Sequence, residues 1–149
     1  MQQRRLIAGA VTSHREFKVV CFTEVPLPEI LRRRTYRSHL HRWDYEPFGI
    51  AVRKSAAMRI GIQPVIYSDN KESHSLLPQD RYRYQAKGEK NDWTKEREWR
   101  AHGDVDLDRL SPEDVIIFVA NNPLTQAISA INHKGWRLAT IDSLASRSD

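Results

Sequence analysis

The residues best suited to chemistry lie in one stretch, Asp92–Arg100, which reads DWTKEREWR. Read as an extended strand, it places alternate side chains on opposite faces, so that Glu96, Glu98 and Arg100 share one face. Two carboxylates two residues apart on a strand lie about 6–7 Å from each other at the backbone, close enough to act on one ligand. The stretch therefore predicts either a working carboxylate pair or a solvated strand whose charges form weak ion pairs.

Three further strands are expected to position this stretch. Phe17–Phe22 is β-branched and aromatic, as in a buried strand, and Thr23 follows at its end. Tyr45–Val52 and Pro64–Tyr67 predict the other two strands. We expect Glu96 and Glu98 to lie beside the end of the first strand, facing a cleft with Thr23, Tyr45 or Tyr67 opposite.

The remaining elements are predicted from helix signals and apolar periodicity. Pro28 opens a helix at its first turn, and Lys54–Ile60 is a short helix that ends at Gly61. The C-terminal third predicts a βαβ unit. Its parts are the apolar strand Asp114–Ala120, a helix capped by Asn122 with Pro123 at its first position, and the strand Trp136–Ile141.

Length and the order of the predicted elements favour one α+β domain. At 149 residues, the chain is expected to form a single compact domain over residues 1–142, with a mixed and mostly β sheet, a few short helices and a frayed tail at 143–149. The expected core residues are Val19, Cys21, Phe48, Ile50, Val65, Ile117, Val119, Ile128 and Ile131.

Charge and cysteine content indicate partners and setting. The net charge is +5, and 17 of the 24 cationic residues are arginine, which favours bidentate partners such as phosphates and carboxylates. Cys21 is the single cysteine, so an intrachain disulfide is excluded and a reducing, cytoplasmic setting is the simplest expectation. Since no apolar run approaches the roughly 20 residues of a membrane span, we expect no membrane partner.

The densest basic segment covers residues 32–42 and is called the arginine segment below. Aromatic residues lie within and just after it, at Tyr36, Trp43 and Tyr45. The pattern predicts a phosphate-contact surface for nucleic acid, while a solvated helix face or loop is the plainer alternative. The residues assigned to nucleic-acid binding are Arg32, Arg33, Arg34 and Arg37.

Several common sites are absent from the sequence. The six glycines never take the spacing of a phosphate-binding loop or a dinucleotide fingerprint, and a lone cysteine cannot form a zinc knuckle, so no metal site is predicted. A magnesium nuclease using Asp92, Glu96 and Glu98 is the least favoured hypothesis.

Read together, four segments resemble the bacterial abortive-phage-resistance families and related domains of unknown function. These segments are VCFTEVPL at 20–27, YEPFGIAV at 45–52, PVIY at 64–67 and the Asp92–Arg100 stretch. The likeness covers about residues 17–120, with the motifs in the same order. It implies a role in antiviral defence, including a toxin–antitoxin protein partner.

A second resemblance is to ADP-ribosyltransferases, which place a Glu-x-Glu on a late strand, as at Glu96-Arg97-Glu98. It implies NAD as substrate. A fixed carboxylate, here Glu98, would stabilise the oxocarbenium character that develops at the ribose, and Glu96 would orient the acceptor. Such enzymes also use an upstream arginine or histidine, for which His14 and Arg15 are the candidates. The expected substrate-binding residues are Thr23, Tyr45, Tyr67 and Arg100.

Two functions follow as hypotheses. The first is a phage-defence protein with a nucleotide-handling or degenerate transferase-like cleft around Glu96 and Glu98. The alternative is a non-enzymatic module that binds nucleic acid or an acidic protein through the arginine segment. Binding that falls steeply with salt would favour the alternative.

Overall fold

A computed structural model describes residues 4–10, 16–38, 41–69, 76–87, 92–132 and 134–141. The strands in chain order are β1 (Arg5–Leu6), β2 (Val19–Thr23), β3 (Tyr36–Arg37), β4 (Arg42–Trp43), β5 (Gly49–Val52), β6 (Gln63–Pro64), β7 (Ile66–Ser68), β8 (Tyr84–Ala86), β9 (Glu98–His102), β10 (Val105–Asp106), β11 (Val115–Val119) and β12 (Arg137–Thr140). The α-helices are α1 (Leu27–Arg32), α2 (Lys54–Arg59) and α3 (Asn122–Ser129). Short 3-10 helices cover Pro78–Arg83, Trp93–Glu96, Leu107–Arg109 and Pro112–Asp114. The predicted α+β class, mostly β, is confirmed, while the tail at 143–149 lies outside the described residues.

The chain forms two compact units. The first takes its described residues from Met1–Val25 and Ala57–Arg109, and the second from Pro26–Ala56 and Leu110–Asp149. The expectation of a single domain over residues 1–142 stays a prediction.

The first unit is built around β9. An antiparallel three-stranded sheet has the order β2-β9-β6, and β7 pairs in parallel with β8. The predicted strand Pro64–Tyr67 is therefore two strands that belong to different sheets. It divides at Val65, whose N–H donates to the Glu98 carbonyl at 2.9 Å.

The second unit contains the predicted βαβ unit. β11 pairs in parallel with β12 across α3, and antiparallel with β5 on its other side. The helix cap lies one residue earlier than predicted, because the Asn121 side chain accepts the Leu124 N–H at 3.2 Å. Asn122 is therefore the first residue of α3, and Pro123 is the second.

Local helix and turn signals are confirmed elsewhere. Pro28 lies in the first turn of α1, and α2 ends just before Gly61, which has a φ of 93°. Gly49 permits a close approach in the second unit, since a Cβ there would lie 2.8 Å from Cζ of Phe118. A larger residue at position 49 would have to displace the Phe118 ring.

The core prediction is correct in part. Val19, Val65 and Val119 are buried, whereas the prediction is wrong for three residues that are exposed: Cys21, Phe48 and Ile131. The other three predicted core residues, Ile50, Ile117 and Ile128, are half-buried.

The position of each exposed residue in its element explains its exposure. Cys21 lies on β2, which is an edge strand among the described residues, because only the bridge from Gly9 to Val19 adjoins its outer side. Phe48 precedes the first paired residue of β5, and Ile131 follows the end of α3. Phe48 and Ile131 lie outside the regular strand and helix, so the strand and helix periodicities do not direct their side chains towards the core.

Candidate functional site

The β2–β9 pairing brings the two predicted site segments together in the first unit. Thr23 lies directly opposite Glu98, and Phe22 lies opposite Trp99. Directly opposed residues of an antiparallel pair share one face. The expectation that the glutamate strand begins beside the end of the first strand is therefore confirmed.

The predicted geometry of the two carboxylates is wrong. Glu96 belongs to a 3-10 helix, and Arg97 takes a left-handed conformation with a φ of 45° before β9 begins at Glu98. The helix begins because the Asp92 carboxylate accepts the Thr94 N–H at 3.2 Å. Glu96 and Glu98 therefore do not lie on one face of a single strand.

Contacts from the end of β2 hold Arg97 in this conformation. Its carbonyl accepts the Glu24 N–H at 3.1 Å, and its Nη2 donates to Glu24 Oε1 at 3.0 Å. Glu24 Oε2 also accepts the indole N–H of the buried Trp99 at 2.9 Å. A left-handed non-glycine residue carries a conformational cost, which these contacts offset.

Arg100 is the most deeply buried charged residue described in the chain, with 1% of its surface exposed. Its guanidinium donates to Glu98 Oε1 and Oε2 at 2.8 and 3.0 Å, and to Gln85 Oε1 at 2.8 Å. The carbonyls of Tyr82 and Tyr84 accept from Nη1 at 3.2 and 2.9 Å. These five hydrogen bonds match the five N–H donors of arginine, so the group is saturated.

The same contacts determine the state of Glu98. Both carboxylate oxygens accept from Arg100, and the side chain is 18% exposed. A cation therefore caps this carboxylate, which is the arrangement expected of a structural pair rather than of one facing an open cleft.

The Thr23 hydroxyl group is likewise used within the scaffold. It donates to the Glu96 carbonyl at 2.7 Å and accepts the Val25 N–H at 3.1 Å. Thr23, Glu96 and Glu98 thus lie together, as predicted, but their contacts tie the end of β2 to the start of β9.

The two tyrosines assigned to the cleft fall in different units. In the first unit, the Tyr67 hydroxyl oxygen accepts the Glu98 N–H at 3.0 Å, and burial raises the pKa of that hydroxyl. Tyr45 belongs to the second unit, where its carbonyl accepts the Arg34 Nε–H at 2.7 Å.

The described residues of the arginine segment lie at the end of α1, in the turn after it and in the β3–β4 hairpin of the second unit. Arg32, Arg33 and Arg37 are exposed, and Arg34 is half-buried. Three of the four arginines have carboxylate partners from neighbouring parts of the chain. These pairs are Arg33 with Glu29, Arg34 with Glu46 at 3.8 Å, and Arg37 with Asp44 at 2.8 Å.

Sequence reasoning missed these carboxylates and the acceptors of Arg100. The spacing of Glu29 and Arg33, four residues apart on a helix, was a usable signal for one pair. The contacts of Arg100 with Tyr82, Tyr84 and Gln85 had no such signal, because they depend on the packing of a segment about 15 residues away in the chain.

Three further expectations concern an upstream catalytic residue, a metal site and a membrane span. The upstream candidates His14 and Arg15 lie outside the described residues. Within the described part of the chain, no three His, Cys, Asp or Glu side chains are grouped so that they could hold a metal ion. None of the helices described there is long and apolar enough to cross a membrane.

Comparison with known proteins gives no match. No family model, no curated protein and no solved structure is significantly similar to this chain.

Proposed function

We propose that the chain is a non-enzymatic nucleic-acid-binding protein that contacts phosphates through the arginine segment. One observation carries the proposal: the second unit concentrates Arg32, Arg33, Arg34 and Arg37 within residues 32–37, at the end of α1, in the turn that follows and in β3. Arginine matches phosphate oxygens with two parallel hydrogen bonds, so a group of arginines on a surface suits a phosphate backbone.

The carboxylate partners leave this surface available to phosphate. Exposed ion pairs contribute only about 0–1 kcal/mol each, so a phosphate can replace a carboxylate at little cost. Residues 27–46 contain five arginines and three carboxylates, and positive charge therefore remains in excess. The replacement of carboxylate partners by phosphates would contribute to the salt dependence of nucleic-acid binding.

The resemblance to abortive-phage-resistance proteins supports a place for this binding in antiviral defence. In that setting the bound nucleic acid would come from the phage or the host. An acidic toxin partner would use the same arginines, and the binding experiment separates it from nucleic acid.

The test is a variant in which all four arginines are replaced by alanine. We expect the parent to bind a short labelled oligonucleotide at low salt, and the variant to bind it much more weakly. The control variant removes the same number of positive charges from exposed positions of the first unit. Its substituted residues are Arg5, Arg59, Lys95 and Arg109.

The two variants together decide the proposal. Circular dichroism and thermal unfolding should show that both keep the parent's fold. An equal loss of affinity in the two variants would show that binding depends on the overall charge and not on the arginine segment. Absence of binding by the parent at low salt would also overturn the proposal.

The transferase-like hypothesis has one observation in its favour. Thr23, Tyr67 and Glu98 lie together at the junction of β2 and β9 in the first unit. Incubation with NAD, followed by detection of released nicotinamide, tests it. Release that disappears in Glu98→Gln, while circular dichroism shows that the variant is still folded, would favour this second function.

A further inference from the structure

We propose that one face of the β3–β4 hairpin stacks the bases of a single-stranded nucleic acid. This inference rests on the proposed function and specifies which form of nucleic acid is bound. The face consists of the rings of Tyr36 and Trp43 with the guanidinium of Arg34, and is called the stacking face below.

The stacking face is an exposed aromatic pair. Tyr36 and Trp43 lie directly opposite each other in the hairpin, with ring centroids 5.5 Å apart and an interplanar angle of 63°. They remain 48% and 41% exposed, although burying an aromatic ring is normally favourable. The two rings meet edge to face, and the exposed part of each leaves π-surface in solvent to which a flat ligand can add.

Arg34 adds a cation to the same face. Its guanidinium carbon lies 4.4 Å from the centroid of the Trp43 ring. The Nε–H bond to the Tyr45 carbonyl, at 2.7 Å, holds the group in place. Since Arg34 covers one face of the indole, a base would stack on the other face. It would lie close to this cation, which can receive a phosphate of the same strand in exchange for Glu46.

Arg34 and Arg37 lie on opposite faces of the β3–β4 hairpin. Successive residues of a strand point to opposite faces, so Arg37 lies on the face opposite Tyr36. There its Nε–H donates to both carboxylate oxygens of Asp44, at 2.9 and 2.8 Å. Arg34 thus belongs to the stacking face, whereas Arg37 supplies charge from the other side.

This chemistry distinguishes single strands from duplexes. In a duplex the faces of the bases are stacked on each other, and only their edges are accessible. In a single strand each base presents a π-face, which aromatic side chains bind largely without regard to sequence. Pairing of exposed aromatic rings with a stacked arginine therefore predicts preference for unpaired nucleotides, in DNA or RNA.

The experiment compares three labelled probes by fluorescence anisotropy: oligothymidylate, oligouridylate and a DNA duplex of the same length. We expect both single strands to bind more tightly than the duplex. The relative affinities of the two single strands show whether DNA or RNA is the better ligand.

Variants at Trp43 locate the contact. Trp43→Ala should weaken single-strand binding about five- to a hundred-fold, the range typical of one lost base–aromatic stack. Trp93→Ala is the matched control, since Trp93 is a similarly exposed tryptophan, at 43%, in the first unit. It should bind as the parent does.

A second pair of variants keeps the test valid if the alanine variant loses its fold. Trp43→Phe preserves a π-face and should retain most of the binding, whereas Trp43→Leu preserves only apolar bulk and should not.

Variants of two arginines test the role of the cation. Arg34→Lys should weaken single-strand binding more than Arg37→Lys, because only Arg34 stacks on the Trp43 ring.

The outcomes separate this inference from the proposed function. Equal affinity for duplex and single strands, or parent-like binding by Trp43→Leu, would overturn base stacking while leaving phosphate contact by the arginine segment intact. Absence of binding to all three probes would overturn both.

Discussion

Glu98 and Arg100 show how a pair of residues with catalytic potential can serve the scaffold. The guanidinium is saturated by five hydrogen bonds, two of them to the Glu98 carboxylate. A buried charge deprived of its partner is costly, because its desolvation is no longer offset. The principal role we expect of Glu98 is therefore to neutralise Arg100.

Removal of the carboxylate should destabilise the protein. We expect Glu98→Ala to lower the free energy of unfolding by roughly 3–5 kcal/mol, the usual cost of breaking a buried ion pair. Glu98→Gln should cost less, since its amide oxygen still accepts one hydrogen bond. Urea denaturation measures both variants.

Glu113→Ala is the control, as Glu113 is an exposed carboxylate in the second unit. It should change stability by no more than about 0.5 kcal/mol. Parent-like stability of Glu98→Ala would show that Arg100 finds compensation elsewhere and would contradict the structural role.

The Tyr67 hydroxyl should make the stability of the protein depend on pH in the alkaline range. Burial is the main cause that raises the pKa of its hydroxyl, while the hydrogen bond from the Glu98 N–H acts in the opposite direction. The unfolded tyrosine ionises near pH 10, below the pKa in the folded protein. Its contribution to stability is therefore present below about pH 10 and is lost as pH rises through the folded pKa.

Tyr67→Phe should reduce this alkaline loss of stability, although the variant also loses the acceptor for the Glu98 N–H. Urea denaturation at a series of pH values from neutral to alkaline would show a shallower decline than in the parent. Tyr36→Phe, at an exposed tyrosine of the second unit, should decline as the parent does. Identical slopes for the parent and Tyr67→Phe would rule out the proposed linkage.

At the scale of elements, the start of α3 offers a test with adjacent asparagines. Asn121 caps the helix by accepting the Leu124 N–H, whereas Asn122 is the first helical residue. Asn121→Ala should cost about 0.5–2 kcal/mol, and Asn122→Ala should have a smaller effect. Thermal or urea unfolding distinguishes them, and the reverse order would place the cap one residue later.

At the scale of the whole molecule, the net charge of +5 predicts a general attraction to nucleic acid. The arginine segment should add a specific part to that attraction. On single strands, each lost phosphate contact reduces the slope of log affinity against log salt by about 0.7, so the four-arginine variant should have a visibly flatter slope than the parent.

The charge-matched variant of the first unit should keep most of the parent's slope, because its substitutions leave the arginine segment intact. A titration of the parent and both variants with salt measures the three slopes. The same slope in both variants would mean that the protein binds through its overall charge.

The sequence by itself determined the elements whose signals are local. Apolar alternation predicted β2, and the long apolar run followed by a helical period predicted the β11–α3–β12 unit. Pro28 and Gly61 marked a helix start and a helix end, because proline fits the first turn and glycine tolerates a positive φ. The exposed arginines of the arginine segment could also be anticipated, since their density exceeds what a core can bury.

Tertiary structure decided the features that depend on distant partners. Glu24, far away in sequence, binds Arg97 in a left-handed conformation, and the strand that the alternating pattern predicted to include Glu96 therefore begins only at Glu98. Arg100 is buried because the carbonyls of Tyr82 and Tyr84 and the side chain of Gln85 satisfy its donors. Hydrogen-bond satisfaction across the fold, which no local pattern encodes, thus assigned the carboxylate of Glu98 to the scaffold.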